Sequence, residues 1–142
     1  MKIRQLSVFL ENRVGRLAGV ISQLGNAGAD IRAISVADTA DFGILRLLVK
    51  DVETAAQVLR AQGVVCRISN VSVVEVSSQP GGLARVLALL DGAGLNIEYM
   101  YAVAQSSSPN PLMVFRFSEG EKAVGILQAA GVAVLDEATL YR

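Results

Sequence analysis

The sequence predicts an α+β protein: two tandem ferredoxin-like βαββαβ units with antiparallel sheets, residues 1–70 and 71–142. Three observations carry this prediction. The chain repeats itself along its whole length. Each copy alternates strand-like and helix-like apolar periods in the order β-α-β-β-α-β. The composition, 52% apolar and 18% charged over 142 residues, is rich enough to fill a core.

The repeat begins with Val14-Gly15-Arg16-Leu17 against Pro80-Gly81-Gly82-Leu83. It continues at the same spacing through Leu24 and Leu90, Ala27 and Ala93, Gly28 and Gly94, and Ile31 and Ile97. Ile44-Leu45-Arg46-Leu47 then matches Val114-Phe115-Arg116-Phe117 at a longer spacing, after extra residues around Ser106 to Pro111. Leu59, Ala61, Gly63 and Val64 match Leu127, Ala129, Gly131 and Val132. Matches that shift only at loops indicate duplication.

Residues 3–10 and 71–77 alternate and are β-branched, so each opens its copy as a strand. Leu17, Val20, Ile21 and Leu24, and likewise Leu83, Val86, Leu87 and Leu90, recur at helical spacing. Those helices stop at Gly25 or Gly28, and at Gly92 or Gly94. Strands follow at 31–37 and 43–49, and at 96–104 and 112–118. A second helix, 52–62 or 120–130, ends at Gly63 or Gly131. A last strand, 64–69 or 132–139, closes each copy, and the first of these runs into strand 71–77 without a linker.

Thirteen basic residues balance thirteen acidic ones, which removes the basic excess that nucleic-acid binding needs. No histidine is present, so every Ser-His and Cys-His mechanism is excluded. Cys66, the one cysteine, lies in an apolar stretch and reads as a buried structural thiol. No apolar leader or membrane-spanning run is seen, so a cytoplasmic location is expected. Phe115 and Phe117 have the spacing of an RNA-stacking pair, but they align with the core-like Leu45 and Leu47.

Asn12-Arg13-Val14-Gly15-Arg16-Leu17, followed by Leu24, Ala27-Gly28 and Asp30-Ile31, resembles the ACT domain, and so do Pro80-Gly81-Gly82-Leu83 and Ala93-Gly94-Leu95-Asn96-Ile97. The likeness is greatest to stand-alone tandem-ACT proteins, through Asp38 to Arg46. It implies a non-catalytic regulatory protein that binds a free amino acid or similar metabolite between paired domains, without cofactor or metal, and acts on a metabolic enzyme. A structural dimerisation module without ligand is the alternative. Val14 departs from the usual proline, and Ser78 stands where the first copy has Asn12.

The first loop, Asn12, Arg13, Val14, Gly15, Arg16 and Leu17, leads into a helix N-terminus, whose free N–H groups favour a carboxylate. The resemblance sets Asn96, Ile97 and Glu98 across it. A second possible site joins Ser78, Gln79, Pro80, Gly81, Gly82 and Leu83 with Asp30, Ile31 and Arg32. Glu98 would hold an ammonium group and Arg32 a carboxylate. A tight turn at Gly15 and Gly81, with Asn12 capping the helix, is the purely structural reading. Tyr99 and Tyr101 share a strand face, and Asp38 and Asp41 flank a hairpin turn at Thr39-Ala40. Ser7, Phe9, Ile44, Arg46, Leu48, Val71, Val73, Val114 and Arg116 should face away from the helices. So apolar a face is expected to be buried in a homodimer.

Overall fold

The computed structural model describes residues 2–38 and 41–142. The turn at Thr39-Ala40 and the Asp38 side chain lie outside the described residues. The chain divides into two units, Arg4–Ser69 and Asn70–Arg142, the second joined by Met1–Ile3.

The N-terminal unit contains β1 (Ile3–Glu11), α1 (Arg16–Asn26), β2 (Ile31–Asp38), β3 (Phe42–Val49), α2 (Val52–Ala61) and the first part of β4 (Val65–Glu75). Its strands lie in the order β2-β3-β1-β4. β3 is antiparallel to both neighbours, with Val8 opposite Leu45 and Ile34 opposite Leu47. Leu6, Val8 and Leu10 meet Leu45, Leu47, Val20, Leu24 and Leu59 in a closed core. The period-two and helical stripes read from the sequence converge there.

The C-terminal unit repeats the plan with the rest of β4, α3 (Gly82–Gly92), β5 (Ile97–Ala102), β6 (Leu112–Phe117), α4 (Gly120–Ala129), β7 (Val134–Leu135) and α5 (Glu137–Leu140). Its strand order is β7-β4-β6-β5. Val74, Val76, Phe115, Phe117, Leu90 and Leu127 form its core. Phe115 and Phe117 are buried there, their rings stacked 5.2 Å apart, and so offer no surface to a nucleic-acid base. Helices α1 to α4 end in one motif. Gly28, Gly63, Gly94 and Gly131 carry positive φ, while the next N–H bonds back to Leu24, Leu59, Leu90 or Leu127. Gly25 and Gly92 are ordinary helical residues.

The chain's end departs from expectation. A strand over 132–139 is replaced by the two-residue β7 and then α5, because the Asp136 side chain accepts the Thr139 N–H at 2.8 Å and starts a helical turn. Leu140 of α5 is 1% exposed and lines one cavity with Leu112 and Leu135. The helix therefore lies on the sheet face away from α3 and α4.

Part of the face expected to be covered in a homodimer is therefore covered without one. Leu48, Val71, Val73 and Val114, and nearly all of Ser7, are already buried within a single chain. In the N-terminal unit Phe9, Phe42 and Val65 stay exposed on this face, with the Arg67 guanidinium 6.0 Å from the Phe9 ring centroid.

Candidate functional site

Both candidate loops are built around a type II turn. Gly15 has φ 89° and ψ −16°, and Gly81 has φ 87° and ψ −2°. The turns close through Arg16 N–H to the Arg13 carbonyl (3.3 Å) and Gly82 N–H to the Gln79 carbonyl (3.0 Å). A type II turn demands positive φ at its third residue and favours proline at its second. Pro80 supplies that proline in the second loop, and Val14 occupies its place in the first. Val14 is fully exposed. Val14→Pro should therefore keep the fold and raise stability by about 0.4–1 kcal/mol, by restricting the unfolded chain. Urea denaturation checks this, and a destabilised variant would show that the Val14 N–H is needed.

The N-cap residues of α1 and α3 are Gly15 and Gly81, which have no side chain to accept a first-turn N–H. The Asn12 backbone N–H bonds to the Asp41 carbonyl at 3.0 Å, which fixes where the loop leaves β1. The N–H groups of the first helical turn are the anion-attracting feature of each loop.

The two loops differ in everything else. Residues 11–19 are exposed throughout, and the Arg13 guanidinium pairs with Glu11 at 3.2 Å. The second loop folds onto itself. Ser77 Oγ accepts the Gln79 N–H at 3.2 Å. A Cβ added to Gly82 would lie 2.2 Å from the Ser77 carbonyl oxygen. Gly82 thus serves the loop's own packing. Ser78, Gln79, Gly81 and Gly82, with Leu83 and Met113 beside them, line a cavity of about 340 Å³.

The strand residues assigned to the sites sit on β-bulges. The β2–β3 register shifts between Ile31 and Ala33, and the β5–β6 register between Ile97 and Tyr99, so Arg32 and Glu98 are the extra residues. A bulge re-aims the side chain it carries. Arg32 grips Asp30 through two bonds, 2.9 and 3.0 Å, with only 12% of its side chain exposed. It is a largely buried, paired cation, unlike the lone charge expected. Glu98 lies 3.8 Å from Arg116. Within the C-terminal unit, Asn96 and Ile97 adjoin the far end of α3 from Ser78–Leu83, one helix of 11 residues or about 16 Å away. The second loop therefore shares no site with the bulge of its own unit. Tyr99 and Tyr101 stack with centroids 6.5 Å apart, both half-buried.

The hydrogen bonds from Arg32, aided by its charge and that of Lys50, hold the Asp30 carboxyl below its ordinary value near 3.8. Partial burial opposes the shift without reversing it. A depressed folded pKa gives stability that is complete above the unfolded value and lost as pH falls through the folded one. The stability difference between the wild type and Asp30→Asn should stay level above about pH 5 and shrink below pH ~4. Urea titrations at several pH values test this. A difference unchanged at low pH would remove the Asp30 charge from the account.

No helix among the described residues is long and apolar enough to cross a membrane. The family model for an ACT domain pair matches residues 1–142. A Bacteroides thetaiotaomicron protein of known crystal structure is 36% identical, covering 100% of this chain and 97% of its own, with a TM-score of 0.91. The ligand-free regulatory subunit of aspartate kinase from Thermus thermophilus is 20% identical, covers 90% of each chain and has a TM-score of 0.64. The corresponding subunit from Thermus flavus is 17% identical over 90% of this chain and 92% of its own, with a TM-score of 0.60. The two Thermus subunits share the fold. No curated protein matches the chain.

Proposed function

The chain belongs to the ACT domain pair family, and from that premise we propose that it is a non-catalytic regulatory protein that binds a free amino acid or similar small metabolite. The observation that carries the reading is the repeated device of a type II turn whose glycine is the N-cap of the following helix. Such a helix end offers N–H groups to a carboxylate. The second copy adds a cavity at the low end of the range of about 300–1,000 Å³ for small-molecule sites, a size that suits an amino acid. The names of the Thermus neighbours, regulatory subunits of aspartate kinase, agree with a regulatory role.

A thermal-shift screen over the twenty amino acids, with purine and keto-acid controls, tests the proposal. A ligand that binds only the native state raises apparent stability by about 2.7 kcal/mol at 100 times its Kd. Calorimetry with Asn12→Ala and Ser78→Ala then assigns the loop. A lost hydrogen bond that leaves a buried group unpaired costs about 1–3 kcal/mol, or roughly 5- to 150-fold in affinity. A complete absence of shifts would defeat the proposal.

A second reading, a dimerisation module without ligand, is favoured by the exposed Phe9 (38%), Phe42 (60%) and Val65 (66%) on one sheet face. Sedimentation at micromolar concentration distinguishes it. A dimer that no small molecule stabilises supports this second reading, and a monomer rejects it.

A further inference from the structure

We infer that the cavity at the second loop selects an amino acid with an uncharged, apolar side chain. This rests on the reading of that loop as a ligand site. Its apolar wall is Val76, Leu83, Pro111 and Met113, and no charged residue lines it. The two charged residues that flank the loop are committed elsewhere. Glu75 accepts hydrogen bonds from Ser108 Oγ and Asn110 Nδ2, both at 3.1 Å. The Arg85 guanidinium donates to the Ala130 carbonyl at 3.0 Å. A ligand carboxylate would meet the first-turn N–H groups of α3, but a second charge on its side chain would find no counter-ion. An unpaired charge removed from water is strongly disfavoured, whereas an aliphatic group gains with each CH₂ it buries.

The wall also fixes the kind of fit. Val76 is part of the packed core, and Leu83 and Met113 lean against it. Met113 is unbranched and adapts to the shape beside it, so the site should accept several aliphatic side chains with graded affinity. The first loop contrasts with this, since Glu11, Arg13 and Arg16 surround its turn with charge.

Calorimetry of the full chain with valine, leucine, isoleucine and methionine, set against aspartate, glutamate and lysine, tests the inference. At least one aliphatic probe should bind ten-fold or more tightly than every charged probe. Met113→Lys should weaken that binding by ten-fold or more. Pro111→Glu is the second variant, because Pro111 is exposed; it should weaken aliphatic binding and favour lysine. Circular dichroism confirms the fold of each. A charged amino acid that binds best, and loses affinity with either variant, overturns the inference while leaving the regulatory reading intact. Binding that neither variant changes, but that Asn12→Ala weakens, moves the ligand to the first loop and also overturns it. If no amino acid binds at all, the regulatory reading fails first and takes this inference with it.

Discussion

Gly82→Ala is expected to destabilise the C-terminal unit by about 1–3 kcal/mol and to lower Tm by roughly 5–20 °C. Helix propensity alone predicts the opposite, since alanine exceeds glycine by about 0.8–1.0 kcal/mol inside a helix. The contact decides the sign. The new Cβ would stand 2.2 Å from the Ser77 carbonyl oxygen and 3.0 Å from Ser77 Cβ, and a backbone oxygen has no rotamer by which to retreat. Either the loop opens or the first turn of α3 shifts. Both movements distort the cavity, so ligand affinity should fall together with stability. Gly125→Ala is the control. Gly125 is an exposed residue of α4, and a Cβ there would meet nothing within 4 Å. That change should stabilise by up to about 1 kcal/mol. If Gly82→Ala also stabilised the chain, the close packing of this loop would be refuted.

The same loop shows how far the sequence could be read. Pro80-Gly81 announces a type II turn, and the turn is there, because proline and glycine each restrict or permit a particular φ. Gly82 reads as one more loop glycine, and only coordinates reveal the Ser77 oxygen above it. The four helix ends were legible for a similar reason, with the choice between Gly25 and Gly28 left to the hydrogen bond from Ala29 to Leu24. The bulges at Arg32 and Glu98 left a fainter trace. Ile31 packs with the helices, and so does the face of Ile34, three residues on. Strict alternation would put them on opposite faces. Ile97 and Met100 repeat the slip. A break of phase at matching points in both copies is a bulge signal that the alternation pattern alone conceals. The pairing of Arg32 with Asp30 is a fact of side-chain geometry and has no counterpart in the sequence pattern.

Leu140→Ala is expected to cost about 2–5 kcal/mol, the usual range for removing a fully buried leucine side chain. The sequence gives little warning of this, because Val132 to Thr139 alternates well enough to pass for a strand. Asp136 changes the outcome by capping a helical turn, and Leu140 then comes down on the face that carries Leu112 and Val114. Asp136→Ala should cost less, about 1 kcal/mol, since it removes the cap and leaves the apolar contact. Deleting residues 136–142 should do most. Val73 and Val114 are 0% exposed in the intact chain, and uncovering their face presents an apolar surface beside strand backbone. The shortened chain should associate in sedimentation experiments to a higher state than the full chain, whatever state the full chain adopts. A Leu140→Ala variant that loses less than 1 kcal/mol in urea, together with a truncated chain that sediments like the intact one, would show that α5 is dispensable. Burial of the outer face would then need another explanation. The order expected is truncation, then Leu140→Ala, then Asp136→Ala, because apolar area removed from water outweighs a single exposed cap.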